Sequence, residues 1–507
     1  RMLGLLVVLA TAAFFIYRYY ERERTHWSRR GIPGPTPQWL WGNVWDLVKY
    51  EEPRSLVLRD WTKQYGKVYG IHEGQRKFLV ISDLEMVDEI LTKQFNNFHG
   101  RAKFAMQDQH WQSPRTHIVE AWGSHWKRLR ALGSPAFSNN SLKQVLPMVE
   151  DSTAKMLTLV EESAKKGSVN VLEFFQEYTM DIICKLALGK KDVKMCANPY
   201  MQIVRDVFAR PMNNPVMMLP MLFPFAVTPW RVFLETVGRF FGIALVKLMS
   251  DLEHDVGERK KERAAGKESS NDFIDMFLDA EVDVSELSYD DDDKTTISRR
   301  LSYDEVVGQC LVFLLAGFET TANSLAYISF FLATHPKVQE RLRDEIDAVC
   351  EDDDISFEQL AEMKYTEAVI KEALRHYPLA SFVVNRECMN STTVGGMAIE
   401  KGTWIYTDTW SMHMDEAVWG KDAKEFRPER WLDGSTDTVP RVAFQAFGEG
   451  PRMCLGMRLA YMEQKVALAK LLKRVVIREC AQTSPLKLVG AVTVSPTQVM
   501  VKIEQRQ

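Results

Sequence analysis

Residues 303–334 form one uninterrupted helical pattern, opened by Ser302 and Glu305 and closed by His335-Pro336. Ser302-x-x-Glu305 is a capping box, in which each side chain takes one free backbone N–H at the start of a helix. At 1.5 Å per residue the helix would run about 48 Å. From Leu311 to Ala333 its only charged side chain is Glu319. A helix so long and apolar must be covered on most sides, by lipid or by protein. Its middle reads AGFETTANS, residues 316–324, a poor choice for lipid contact. The pattern predicts a helix running through the core of a large domain.

The rest of the chain agrees with that size. Its 507 residues are 46% apolar and 26% charged, ample for a large core. Helical periodicity recurs at 142–165, 171–189, 231–263, 337–350, 357–376 and 456–474. Strand-like stretches are short, at 67–72, 77–82, 392–399, 403–406 and near 486–503. The expected fold is mainly α with a minor β region. Net charge is −4 and no basic domain is present, which argues against nucleic acid as a partner. The cysteines are Cys184, Cys196, Cys310, Cys350, Cys388, Cys454 and Cys480, an odd number with no C-x-x-C pair. That points away from a disulfide framework or structural zinc and toward a reducing compartment.

Residues 1–20 are expected to form an N-terminal membrane anchor. Met2 to Tyr17 carry no charge, and Arg18, Arg22, Arg24, Arg29 and Arg30 follow on what would be the cytoplasmic side. Ala10-Thr11-Ala12 looks like a cleavage site, but the apolar run continues past it. Residues 21–37 are a basic and Pro/Gly-rich linker, and its end, GIPGPTP at 31–37, reads as a stiff hinge. Residues 257–272 and 285–300 are charged and read as solvated loops. Residues 211–230 hold no charge and five prolines, which suits a buried loop or a lid whose tip touches the bilayer.

Two stretches carry chemistry. In the central helix Glu319 and Thr320, an acid and an alcohol side by side, can pass protons to a ligand, and Gly317 lets a small molecule approach. The residues equally allow Thr320 and Thr321 to bond to carbonyls one turn earlier. Residues 447–456 read FGEGPRMCLG, with Cys454 just before the helix at 456–474. A helix N-terminus favours the thiolate, which is the metal-binding form. Gly450 permits a tight turn, Gly456 lets the helix lie close to a flat ligand, Phe447 can shield the sulfur, and Arg452 can pair with a carboxylate on that ligand. One thiolate with a carboxylate partner suggests haem on a single axial cysteine; a buried structural cysteine is the other reading.

FGEGPRMCLG resembles the haem-ligand signature F-x-x-G-x-R-x-C-x-G of the cytochrome P450 superfamily, with Phe447, Gly450, Arg452, Cys454 and Gly456 in the five fixed positions. AGFETT, residues 316–321, is similar to the oxygen-activating segment of that family's long helix. KEALR, residues 371–375, gives the E-x-x-R pair Glu372 and Arg375, and FRPERW, residues 426–431, supplies Arg430 as its third member. Trp126 and Arg130 match a W-x-x-x-R pattern. The chain as a whole resembles the microsomal animal type, and within it the broad-substrate xenobiotic-oxidising clan. It departs from the pattern at Ala446, where many members have proline. The spacing from Arg375 to Arg386 is also one residue longer than in many relatives.

The resemblance implies haem b, iron protoporphyrin IX, with Cys454 as the axial ligand of iron. Trp126, Arg130, Arg452 and Arg386 would hold its propionates, with Phe447, Gly450, Gly456 and Gly317 shaping its bed. It implies a monooxygenase inserting one oxygen atom from O2 into a lipophilic substrate, with Thr320 hydrogen-bonding the activated oxygen and Glu319 feeding protons. Glu372, Arg375 and Arg430 would form a structural triad. No flavin or nicotinamide fingerprint occurs, so electrons would come from NADPH through a separate NADPH-cytochrome P450 reductase, with cytochrome b5 an optional second donor. Lys127 and Arg128 are the candidate docking charges. Residues 38–507 would be one haem-thiolate catalytic domain on the cytosolic face of the endoplasmic reticulum membrane. The substrate pocket would draw on 101–120, 204–222, 491–494 and a strand at 381–384. The alternatives are a peroxide-rearranging isomerase and a haem sensor or carrier without turnover.

Overall fold

The computed structural model describes residues 2–48, 53–102, 115–165, 167–190, 193–208, 219–220, 222–223, 226–240, 243–266, 272–281, 300–490 and 493–506. The central helix spans Tyr303–Thr334, and both hydrogen bonds of the Ser302/Glu305 box are present. It is a core helix, buried along most of its length. Its main neighbour is the helix Val171–Leu188. That helix stops at Gly189, whose left-handed φ of 62° lets its N–H close back on the Cys184 and Lys185 carbonyls. Helices Lys364–His376 and Met457–Arg474 pack on the central helix from other directions. The fold is mainly α, as expected.

The β region is minor and split. The largest sheet has four strands in the order Val68–Glu73, Arg76–Ile81, Trp404–Thr407, Asn385–Glu387. Its inner pair is parallel, with Phe78 opposite Trp404, and its outer pairs are antiparallel. A three-stranded sheet joins Val169–Asn170, Met500–Gln505 and Val475–Arg478. The short pair Leu488–Val489 and Ser495–Pro496 brings the tail against the central helix.

Several expectations are revised. The pattern at 231–263 is two helices, Val227–Phe240 and Ala244–Ala264. Residues 357–376 divide at Met363, because Ser356 and Gln359 cap a short helix of their own. Ser381–Val383 is a 3-10 turn rather than strand, and the strand begins at Asn385. The linker 21–37, including Pro33 of the expected hinge at 31–37, is held against the body. Trp27 is buried and its indole N–H donates to the Ile71 carbonyl at 3.1 Å. Glu23 pairs with Lys77 at 2.6 Å, and the Gly70 N–H donates to the Pro33 carbonyl at 2.8 Å. Prolines and glycines here shape a strap along the first sheet. Much of 211–230, 285–300 and the pocket segments 101–120 and 204–222 lies outside the described residues.

Candidate active site

The loop before the helix Met457–Arg474 is built by backbone constraints. Gly448 and Gly450 adopt left-handed φ values of 72° and 75°. A Cβ on Gly450 would overlap the Leu91 carbonyl oxygen, so only glycine fits. The Cys454 N–H donates to the Phe447 carbonyl at 2.8 Å, which closes the loop. Cys454 is exposed while Arg452 and Leu459 on either side are buried. Although its surface is open, the thiol lies deep among surrounding protein atoms, and that desolvation raises its pKa; N–H groups of Gly456 and Met457 and the charges of Arg130 and Arg101 act the other way. In the chain alone desolvation wins, contrary to the expected lowering. A coordinated cation reverses that balance.

Four guanidiniums form a cluster, of which Arg101 and Arg130 act on this sulfur. Arg130 donates to the Met453 carbonyl at 2.7 Å and Arg101 to the Val383 carbonyl at 3.0 Å. Arg452 donates to the Ala121 carbonyl and lies 4.8 Å from the Trp126 ring centroid. Arg386 donates to the Asn385 carbonyl at 2.8 Å. Burial lowers the pKa of all four, to about 10 for Arg101, and repulsion from one another lowers Arg101, Arg386 and Arg452 further. Among the described residues none of the four is ion-paired with a carboxylate. The Nε atoms of Arg101, Arg386 and Arg452 are buried without a partner. Buried like charges without an anion are costly, so the arrangement fits a ligand bearing carboxylates. Arg386, on its edge strand, is close enough to Arg452 and Arg101 for mutual repulsion, and could join Arg130 and Arg452 in holding such a ligand. Arg101 was not singled out in the sequence; its only signal is a lone arginine at the head of a pocket segment.

Near its middle the central helix is less covered. Ala316 is exposed and Leu315, Gly317 and Thr320 are half-buried, while Phe318 and Glu319 are buried. The Thr320 hydroxyl donates to the Ala316 carbonyl at 2.8 Å. Glu319 does not sit beside it. Successive residues on a helix point about 100° apart and do not face each other. The Glu319 carboxylate accepts hydrogen bonds from Thr493 and from Ser495, the latter at 2.9 Å. Gly317 also differs from expectation: a Cβ there would lie 2.6 Å from Ile183 Cδ1, so its bareness serves helix packing. At Gly456 a Cβ would meet only Phe137, at 3.7 Å. Phe447 packs on Tyr461, with ring centroids 5.3 Å apart.

The remaining residues are structural. Glu372 accepts from Arg375 at 2.8 and 3.0 Å, from Arg430 at 2.9 Å and from the Trp431 indole at 3.0 Å. Burial would raise its pKa, but His376, Arg375 and Arg430 hold it well below the carboxylate range. Lys127 is exposed, but Arg128 is buried and ion-paired with Glu305, which removes it from any docking surface.

A lone thiol at a helix start, four guanidiniums without a carboxylate partner among the described residues, two buried and two half-buried, and one open face on a core helix could hold haem through a thiolate. The family model for Cytochrome P450 matches residues 32–503. Three Caenorhabditis elegans proteins that bear cytochrome P450 names are similar along nearly their whole length. CYP13A3 and CYP13A2 are each 43% identical and CYP13A10 is 42% identical, with 99% of this chain and of each relative covered. The chain belongs to the cytochrome P450 family. Its cofactor is haem on a cysteine thiolate, and its activity is monooxygenation, with O2, an organic substrate and a redox partner.

Proposed function

We propose that this chain is a membrane-anchored monooxygenase of lipophilic xenobiotics. It would draw NADPH electrons through a separate flavoprotein reductase at the cytosolic face of the endoplasmic reticulum. The observation that carries the substrate class is the open face of Ala316 and Thr320, one helical turn apart and apolar but for one hydroxyl. Such a wall rewards apolar ligands by removing their surface from water, at about 25 cal/mol per Å². Bound through Cys454, haem supplies O2 binding and its reduction. Arg101, Arg130, Arg386 and Arg452 hold its carboxylates. Thr320 turns its hydroxyl from the Ala316 carbonyl toward the reacting centre. Glu319, whose pKa burial raises, carries a proton it can release. The exposed helix Met2–Arg24, apolar and closed by Arg22 and Arg24, supports the anchor.

The test is reconstitution in vesicles with NADPH, reductase and isotopically labelled O2. The panel holds lipophilic xenobiotics, steroids and fatty acids. One labelled oxygen in a xenobiotic product, with substrate-dependent NADPH use, is the expected result. Conversion of organic hydroperoxides without reductase as the main activity would make the chain an isomerase. Haem binding with neither activity would make it a sensor or carrier.

A further inference from the structure

Glu319 sits in a built pocket that the haem site does not explain. Both of its carboxylate oxygens are engaged by one tail segment: Thr493 Oγ1 donates to Oε2 and Ser495 Oγ donates to Oε1 at 2.9 Å. Residues two apart on an extended strand share a face, so one segment serves both oxygens. Asn323, one helical turn on, donates from Nδ2 to Ser495 Oγ at 2.8 Å. The segment is itself pinned. The Tyr327 hydroxyl donates to the Val494 carbonyl at 3.0 Å, and the Val494 N–H donates to the Leu379 carbonyl at 2.7 Å. All five of these side chains, from Glu319, Asn323, Tyr327, Thr493 and Ser495, are buried.

We propose that Thr493 and Ser495 are positioning residues that fix the direction of the Glu319 carboxyl and thereby govern proton supply to the reaction. This rests on the reading of Glu319 as a proton donor. Hydroxyls suit the task because each can donate to a carboxylate or accept from a carboxylic acid. Glu319 can therefore lose and regain its proton without leaving a buried atom unpaired, which a fixed donor such as lysine would not allow. Asn323 Oδ1 lies buried in the same cluster with no protein partner among the described residues, an acceptor suited to a water that joins the relay. The carboxyl is held around the helix from Thr320, so the clamp also keeps the acid off the open face until the cluster rearranges.

The experiment uses the full chain with haem and reductase, carrying Thr493→Val and Ser495→Ala singly and together. Product formed per NADPH, hydrogen peroxide release and the solvent deuterium isotope effect are measured beside the reduced carbon monoxide spectrum. The combined variant should lose coupling several-fold and raise the isotope effect while keeping its spectrum. Glu319→Gln should lose coupling to a similar degree, and adding the clamp substitutions to it should change nothing further. Thr493→Ser, which keeps the hydroxyl, should restore coupling even if Thr493→Val damages the fold. A wild-type isotope effect in the combined variant, or losses that multiply with Glu319→Gln, would overturn the clamp. Unchanged coupling in Glu319→Gln itself would instead overturn the proton-donor reading beneath it.

Discussion

Cys454 is prepared by its neighbours: two left-handed glycines shape the turn, and backbone N–H groups of Gly456 and Met457 face the sulfur. Cys454→Ser should abolish the red-shifted carbon monoxide band of the reduced protein, since a serine oxygen cannot replace the thiolate as electron donor. Arg101 makes a sharper test of the cradle. Arg101→Leu removes one of four crowded charges, so the haem-free protein should melt no lower than wild type. The haem-loaded variant should release haem faster. A parallel loss of stability in both forms would make Arg101 merely structural. Glu463 works by the opposite logic. It is buried on the helix that follows Cys454, and desolvation pushes its carboxyl up to about 8, opposed by a hydrogen bond with Thr321. A folded acid with a raised pKa binds its proton more tightly than the unfolded chain does. Stability is then full below the ordinary value near 4.5 and falls as pH rises toward 8. Glu463→Gln should flatten the decline of unfolding free energy between about pH 5 and 8, by up to about 1.4 kcal/mol per pH unit, read from denaturant melts. Equal slopes in both proteins would show Glu463 to be ionised in the fold.

Elements were legible where local punctuation is strong. Ser302, Glu305 and His335-Pro336 bracket the central helix because caps and proline act within a turn of where they stand. The triad was legible because Glu372 and Arg375 are three apart on one helix face, and FRPERW brings Arg430 to them. Helix Gly123–Gly133 was not legible. Its charged WKRLR core is stabilised by partners far along the chain, Glu305 for Arg128 and the Met453 carbonyl for Arg130. The meeting of Thr493 with Glu319 likewise exists only after the tail folds back, and no spacing encodes it. Gly317 belongs to this class. It reads as a ligand gap, yet it packs against Ile183 of the helix Val171–Leu188. Gly317→Ala would gain about 1 kcal/mol of helix propensity. It must also displace Ile183, whose Cγ1 and Cδ1 would lie 2.8 and 2.6 Å from the new carbon. Overpacking of this kind costs about 1–3 kcal/mol. The melting temperature should fall, and adding Ile183→Ala should recover part of the loss. A variant as stable as wild type would return Gly317 to the ligand side of the helix.

At the scale of the whole molecule, the junction between anchor and catalytic body decides where one ends and the other begins. Sequence composition puts a hinge at 31–37, at the end of the linker 21–37, but that linker is part of the first sheet's packing. The Trp27 ring lies against Gly70 so closely that any Cβ there would collide with it. Glu23 reaches Lys77, and Arg30 pairs with Glu400. Two truncations separate the functions. Removing residues 2–20 deletes the exposed apolar helix and leaves those contacts in place. The shortened chain should move to the soluble fraction after carbonate treatment and keep its melting temperature and carbon monoxide spectrum. Removing residues 2–30 also removes Trp27, and losing a buried tryptophan costs about 3–5 kcal/mol. That chain should melt several degrees lower. Persistence of the first truncation on membranes would mean that exposed apolar side chains of the body, such as Trp39, Trp45, Val232 and Phe233, also grip the bilayer. Equal stability of the two truncations would restore the hinge, because a tether contributes nothing to the fold it carries.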